Sequence, residues 1–205
     1  MTVLVSGFEP FGGDDTNPSW ETARALAARG CELVGDDVVA VRLPCTFDGA
    51  WPVLEDAIRE HAPSVVLALG LAGGSQAVRL ERVAIDVVDA RIPDNAGAAP
   101  VDEPVVAGGP AAYWSGLPLK GALAALRAEG LPAEVSNTAG TYVCNATFYQ
   151  LMHHAAGAPD LRAGFVHVPS AQVLAIDDQV RAVTVVARAA LAGAREPVLA
   201  AGAES

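Results

Sequence analysis

The chain has 205 residues and a hydrophobic fraction of 52%, which is enough for one well-packed core and short for two full domains. Its 13 Lys and Arg residues stand against 24 Asp and Glu residues, and the net charge of −11 argues against nucleic acid or an anionic membrane surface as a partner. The uncharged run over residues 62–78 contains glycine and proline and is shorter than the roughly 20 apolar residues of a membrane span. We therefore expect a single domain over residues 1–205, with a loose tail over about 196–205.

Cysteine usage and the N-terminus bear on where the protein works. The three cysteines, Cys31, Cys45 and Cys144, are an odd number without CxxC or Cys/His ligand spacing, so neither a disulfide framework nor a structural zinc site is expected. Residues 1–5 have no basic lead-in, and a glutamate and a proline soon interrupt any signal-peptide core. These features favour a reducing cytoplasm.

The first part of the chain alternates short apolar runs with amphipathic segments. Asn17-Pro18-Ser19 is a helix-start signal, and Gly30 is a natural stop for the helix that follows. The pattern predicts strands over 2–6, 38–43 and 64–69, a helix over 20–29 and a second helix from 48 or 49 to 60. Such alternation is typical of an α/β fold.

Two glycine-rich loops follow predicted strands. The loop of residues 7–13 carries Phe8 and Phe11, whose rings either wall an apolar pocket or close the loop onto the core. The second loop, residues 70–74, stands at the carboxyl end of a strand, where open α/β sheets bind ligands. Its spacing is neither GxGxxG nor a P-loop, which argues against a nucleotide site.

The middle of the chain is predicted to contain a strand over 80–89, a turn over 90–97 and a long surface excursion over 98–116. Glu81 and Arg91 lie at opposite ends of the strand and its turn, and each by itself is typical of a solvated surface charge. The excursion is rich in Ala, Gly and Pro. It is long enough to cover a site as a lid, with Tyr113-Trp114 anchoring its end.

The C-terminal part is predicted to hold a helix over 119–129, a strand over 133–136, a helix beginning at Cys144, a strand over 164–169 and a helix from 176 or 177 to 194. Cys144 therefore lies on a strand-to-helix turn. A thiol in a first helical turn is close to unpaired backbone N–H groups and to the positive end of the macrodipole, and both favour the thiolate. The alternative interpretation is a small buried hydrophobic residue.

A cysteine hydrolase also needs an imidazole, and one of the four histidines fits best. His153 and His154 lie about two and a half turns along the cysteine helix, too far from the sulfur, and His61 is in a polar connection. His167, near the carboxyl end of its strand, remains by elimination, with Glu81 as a group able to orient it from the same sheet. The residues alone leave a structural role for His167 equally open.

Five stretches of the sequence carry a family resemblance. They are Gly7-Phe8-Glu9-Pro10-Phe11-Gly12-Gly13 with Asn17-Pro18-Ser19-Trp20, Glu81-Arg82-Val83-Ala84-Ile85, Asp89-Ala90-Arg91-Ile92-Pro93-Asp94-Asn95, residues 136–145, and residues 164–169. Together they resemble the pyrrolidone-carboxylate peptidases, or type I pyroglutamyl peptidases, cysteine peptidases that remove N-terminal pyroglutamate. The resemblance spans most of residues 1–169.

The resemblance implies roles for individual residues. Cys144 is the expected nucleophile, His167 the general acid/base and Glu81 the group that orients it, the same three that the chemistry selects. Arg91, together with the Cys144 amide, is expected near the oxyanion. Five apolar residues are assigned to the pocket for the pyroglutamyl ring: Phe8, Phe11, Leu71, Ile92 and Val143. An uncharged lactam ring suits such a slot, and the family implies neither a cofactor nor a metal.

The resemblance also implies a three-layer α/β/α sandwich with a mixed central sheet, of the phosphorylase/hydrolase-like kind, and a homodimer or homotetramer. The chain departs from the family pattern at Leu71, Ser75 and Asp86, and in a shorter segment over 170–176. The expected partners are peptides with N-terminal pyroglutamate, not nucleic acid or membrane. Two alternatives stay open: a pyroglutamyl-binding protein that has lost turnover and, from architecture alone, a nucleoside phosphorylase-like enzyme.

Overall fold

The computed structural model describes residues 1–193 and 196–202. Its strands are β1 (Thr2–Phe8), β2 (Asp37–Leu43), β3 (Val65–Leu71), β4 (Val78–Glu81), β5 (Val83–Ile85), β6 (Ala112–Trp114), β7 (Ala133–Ser136) and β8 (Arg162–Val168). Its helices are α1 (Pro18–Ala28), α2 (Gly30–Leu33), α3 (Ala50–His61), α4 (Leu119–Ala128), α5 (Val143–Ala155) and α6 (Ile176–Ala192).

The central sheet has six strands in the order β2-β1-β3-β8-β4-β7. Neighbouring strands run parallel except β4 and β8, which are antiparallel, so the sheet is mixed as predicted. Strands β1, β3 and β8 lie in the middle of the sheet, and nearly all of their side chains are buried. This explains their continuous apolar runs, which are typical of strands covered on both faces.

Helices cover both faces of this sheet. On one face, α1, α4 and α6 bury residues such as Leu26, Leu123 and Val183 against the strands. On the other face, α3 and α5 bury residues such as Leu54 and Phe148. Each of these side chains is fully buried, a contribution of about 1.5–3 kcal/mol apiece by area. The predicted three-layer α/β/α sandwich is confirmed.

The start signal of the first helix is confirmed. Asn17 caps α1, because its side-chain Oδ1 accepts a hydrogen bond from Ser19 N at 3.1 Å, and Pro18 is the first helical residue. Gly30 was predicted to stop the first helix. In the structure α1 ends at Ala28, and Gly30 begins the four-residue helix α2, which was not predicted.

The predicted strand over 80–89 is wrong as a single element, because the chain breaks at Arg82 into β4 and β5. The Arg82 N–H donates to Ser136 O at 2.9 Å, and the Arg82 carbonyl accepts from Ser115 N at 2.9 Å. Beyond this point the chain leaves the central sheet, and β5 pairs with β6 in a separate two-stranded sheet. Alternation of apolar residues cannot reveal such a change of sheet.

The predicted surface excursion ends in a strand rather than in a loop. Tyr113, in β6, does anchor it, since the Tyr113 hydroxyl lies 2.7 Å from His153 Nδ1. Trp114 does not, because its side chain is 71% exposed. Upstream, Val88 and Glu103 form an isolated bridge that closes the loop on itself.

The C-terminal segment is held in place more firmly than predicted. Residues 196–202 form no helix or strand, but Glu196 Oε2 accepts a hydrogen bond from Gly121 N at 2.7 Å at the start of α4. Arg82 Nη2 also donates to Ala201 O at 3.0 Å. This part of the predicted loose tail is therefore docked. The predicted helix end at Ala194 and the final residues 203–205 lie outside the described residues.

In the described ranges, every helix is too short or too polar to traverse a lipid bilayer.

Candidate active site

The side chains of His167 and Glu81 meet inside the molecule. His167 lies in β8 and Glu81 in the neighbouring antiparallel strand β4, where Arg79 is the register partner of His167. Glu81, two residues further along β4, is therefore a diagonal neighbour of His167 on the same face of the sheet. His167 Nδ1 lies 2.8 Å from Glu81 Oε1, and both side chains are buried. The predicted pairing of these two residues across the sheet is present.

This contact determines which nitrogen of the His167 imidazole carries the proton. A carboxylate only accepts hydrogen bonds, so His167 Nδ1 carries the proton and Nε2 is left as an acceptor in the neutral ring. The second carboxylate oxygen, Oε2, is buried, and no residue in the described part of the chain hydrogen-bonds to it. The ring of Phe165 packs against the imidazole at a centroid distance of 4.9 Å. His167 is thus held by one charged partner and one aromatic ring.

Cys144 is brought to the same place by helix α5. It is the second residue of that helix, after the extended residue Tyr142 at the N-cap. Its Sγ lies over the backbone of Gly70, 2.9 Å from the position that a Cβ would occupy there. Gly70 in β3 is the register partner of His167 in β8, and neighbouring strands are about 4.8 Å apart. The thiol therefore stands above the sheet next to the His167 position.

The charge state of the thiol differs from the expectation for a first-turn cysteine. Burial raises the pKa of Cys144 above its ordinary value, and the nearby Cys45 and Glu81 raise it further, while the Cys144 backbone N–H lowers it. The helix start thus only partly offsets the cost of a buried thiolate. A base beside the thiol, which is itself partly exposed, would therefore favour its ionisation.

Asn145 ties the cysteine helix to the chain after β5. Its Oδ1 accepts from Ile85 N at 3.1 Å, and its Nδ2 donates to Ile85 O at 2.9 Å and to Val87 O at 3.0 Å. The side chain is fully buried and follows Cys144 directly. No role was predicted for Asn145 from the sequence. Its position directly after the expected nucleophile was the available signal.

Comparison with known proteins identifies the family of this chain. A family model described as pyroglutamyl peptidase matches residues 1–202. The chain belongs to the pyroglutamyl peptidase family.

Relatives and solved structures of the family agree with this assignment. The chain is 50% identical to the pyrrolidone-carboxylate peptidase of Clavibacter michiganensis, with 95% of each chain covered. It is 55% identical to that of Streptomyces coelicolor over 82% of this chain and 77% of the relative. The crystal structure of pyroglutamyl peptidase I from Bacillus amyloliquefaciens superposes with a TM-score of 0.87 at 41% identity, covering 93% of this chain and 97% of the other. A mutant pyrrolidone carboxyl peptidase from Pyrococcus furiosus gives a TM-score of 0.88 at 38% identity, covering 94% and 99%.

The apolar residues that the family resemblance assigned to a pocket differ in exposure. Phe8 and Val143 are buried, so that their side chains support the site from within the core. Phe11 and Leu71 are half-buried, and Ile92 is 46% exposed. In the loop of residues 7–13, Phe8 is therefore buried in the core, and Phe11 packs against it with part of its ring exposed.

Arg91 lies at the surface beside the start of the cysteine helix. Together with Ile92 and Tyr142 it lines a small pocket of about 330 Å³. The Tyr142 ring is also 6.3 Å from the ring of Phe11. Tyr142 thus lies between Phe11 and the turn that carries Arg91 and Ile92, a position that was not predicted from the sequence.

The loop that carries Arg91 is held by a carboxylate at its far end. Asp94 accepts hydrogen bonds from the backbone N–H groups of Phe47, Ala96 and Ala98, each at 2.9 Å. Burial alone would raise the pKa of Asp94, but these hydrogen bonds lower it, so the carboxylate stays charged. The Pro-Asp-Asn turn chemistry in the sequence was the signal for this anchor.

The three single-residue departures from the family pattern take local structural roles. Asp86 Oδ1 accepts a hydrogen bond from Val106 N at 2.9 Å, which ties the excursion of residues 98–116 to the chain just after β5. Ser75 Oγ donates to Ala77 O at 2.8 Å within its own turn. Leu71 is the last residue of β3 rather than a loop residue. None of these contacts involves the His167–Glu81 pair or Cys144.

Proposed function

We propose that this chain is a cysteine peptidase that hydrolyses the amide bond after an N-terminal pyroglutamyl residue and releases pyroglutamate. The observation that supports this best is the buried His167–Glu81 contact on the strands next to Gly70, over which the thiol of Cys144 lies. Membership in the pyroglutamyl peptidase family supports the choice of substrate.

In the first step, His167 Nε2 takes the proton from Cys144 Sγ as the sulfur attacks the carbonyl carbon of the pyroglutamyl residue. The resting thiol needs this base, because burial raises its pKa. Glu81 stabilises the positive imidazolium that forms and keeps it oriented. The negative oxygen of the tetrahedral intermediate is stabilised by the Cys144 backbone N–H at the start of α5 and by Arg91.

The intermediate then collapses and the C–N bond breaks. His167 returns its proton to the leaving amine, and the pyroglutamyl group remains on Sγ as a thioester. In the second half of the reaction, His167 removes a proton from a water molecule while the oxygen of that water attacks the thioester carbon. The C–S bond breaks, the thiol recovers its proton, and pyroglutamate leaves as the free acid.

The substrate ring suits the side chains at this site. Pyroglutamate is a lactam without a charged amine, so an apolar slot with few hydrogen bonds can select it. Phe11, Leu71 and Ile92 supply the partly exposed apolar surface, and Phe8 and Val143 support it from the core.

The decisive experiment compares amine release from a fluorogenic pyroglutamyl amide by wild-type protein and Cys144→Ala under reducing conditions. A proline amide, which lacks the lactam carbonyl, is the matched substrate control. Release from the pyroglutamyl amide alone, lost in folded Cys144→Ala, is the expected result. Folded, reduced wild-type protein that binds pyroglutamate without releasing amine would instead establish the binding-protein alternative.

The setting of the enzyme is part of the same proposal. We place it in the cytoplasm, where reducing conditions keep Cys144 and the exposed Cys31 as thiols. We also propose a homodimer or homotetramer, by analogy with the family, which sedimentation of the purified protein tests.

A further inference from the structure

Gly70 stands directly under the nucleophile and leaves no room for a side chain. A Cβ built on it would lie 2.9 Å from Cys144 Sγ and 2.8 Å from Cζ of the Phe165 ring. Ordinary contacts between non-bonded heavy atoms are about 3.5–4.0 Å. Both neighbours would have to move to accept even one methyl group.

The backbone of Gly70 does not by itself require glycine. The residue lies inside β3, and its φ is outside the left-handed region. Any L-residue can adopt this conformation, and glycine weakens a strand interior because it has no side chain to pack. The requirement is therefore for space and not for backbone freedom.

Side chains along this face of β3 become smaller toward its carboxyl end. Val66 and Ala68, both fully buried, precede Gly70 on the face that packs against α5. Because Val, Ala and Gly follow one another at alternating positions, a notch forms at the carboxyl end of β3, where α5 begins. Its last position is the register partner of His167.

We infer that Gly70 is a positioning residue, whose missing side chain lets the thiol of Cys144 sit against the sheet beside His167. The ring of Phe165 fills the rest of the notch and touches the imidazole as well. The catalytic consequence rests on the proposed function, whereas the steric relation between Gly70 and the sulfur does not.

The kinetic test is Gly70→Ala with two matched controls. Gly73→Ala and Gly74→Ala introduce the same methyl group in the next turn, where no heavy atom of the described chain lies within 4 Å of the new carbon. A displacement of the thiol by about 1 Å costs on the order of 10²-fold in turnover. We expect kcat to fall by this amount in Gly70→Ala with KM little changed, and both controls to keep the wild-type kcat.

A second test reads the contact from stability, without activity. Melting temperatures are measured for wild type, Gly70→Ala, Cys144→Ala and the double variant. The clash with Phe165 is present with or without the sulfur and cancels in the cycle. We expect Gly70→Ala to lower Tm less in the Cys144→Ala background. Equal losses in both backgrounds would overturn the inference.

The outcomes separate this inference from the proposed function. An inactive wild type defeats the proposed function but leaves the stability cycle decisive for Gly70. An active wild type with an equally active, folded Gly70→Ala defeats the inference alone. If Gly70→Ala does not fold, Gly70→Ala is compared with wild-type Gly70 in a Phe165→Leu background, which removes the ring clash. A kcat of the double variant well below that of Phe165→Leu alone then supports the inference. Equal kcat values for these two variants contradict it.

Discussion

Glu81 and His167 lie 86 residues apart in the chain, and Glu81 Oε1 meets His167 Nδ1 at 2.8 Å with both side chains buried. The antiparallel pairing of β4 with β8, in an otherwise largely parallel sheet, brings them together. The carboxylate has one hydrogen-bonding partner for two oxygens among the described residues. We propose that it orients His167 and stabilises its positive charge, at some cost to stability.

Glu81→Gln separates the effect of the carboxylate on catalysis from its cost to the stability of the fold. We expect kcat to fall roughly 10²- to 10⁴-fold, because the amide no longer stabilises the imidazolium and can also favour the wrong tautomer. We expect Tm to stay equal or rise, because a buried charge with a single partner is costly. Glu134→Gln, a half-exposed glutamate on β7, is the control and should keep wild-type kcat. Full activity of Glu81→Gln would disprove the orienting role.

His167→Ala tests whether the imidazole generates the thiolate. Since burial raises the pKa of Cys144, a site without the imidazole should form thiolate only at more alkaline pH. The measurement is the rate of iodoacetamide alkylation of the Cys144 peptide against pH, by mass spectrometry. We expect the profile to shift to higher pH in His167→Ala and not in His61→Ala, at the end of α3. An unshifted profile would show that His167 is not the base for this thiol.

Asn145→Ala should weaken the attachment of the nucleophile's helix. Three hydrogen bonds to Ile85 and Val87 are lost, which leaves partly buried backbone groups without these partners. We expect unfolding to become easier by about 3 kcal/mol in denaturant titrations and kcat to fall with it. The exposed Asn137→Ala is the control. Unchanged stability and kcat in Asn145→Ala would mean that these contacts do not position Cys144.

The buried thiol of Cys45 makes stability depend on alkaline pH. Burial, with Glu9 and Asp94 nearby, raises the pKa of Cys45 from 9.0 to about 12. The folded state thus holds a proton that the unfolded chain releases, so this contribution is complete below pH 9.0 and is lost as pH rises toward 12. Over that window, the free energy of unfolding should fall faster in wild type than in Cys45→Ala, by about 1.4 kcal/mol per pH unit.

Chemical unfolding at several pH values between neutral and strongly alkaline measures this difference. Cys31→Ala, which removes an exposed thiol, should keep the wild-type slope. Parallel curves for wild type and Cys45→Ala would contradict the prediction.

Local sequence patterns were sufficient for most elements. The Asn17-Pro18 cap, the continuous apolar runs of β1 and β3 and the amphipathic faces of α3 and α4 act over neighbouring residues, and the structure confirms each of them. They failed where a contact with a distant residue decided the outcome. Arg82 ends β4 because its backbone hydrogen-bonds to Ser136 and Ser115, and Glu196 docks onto α4 through a similarly distant pair of contacts.

The same distinction applies to the site. The available residue types could be read from the amino-acid pattern: a cysteine at a helix start, a histidine at a strand end and a glutamate on another strand. The folded chain was needed to show that Glu81 lies against His167, that Cys144 Sγ lies over Gly70, and that burial raises the pKa of the thiol. These facts depend on strand order, register and solvent exclusion, which arise from contacts between residues far apart in the chain.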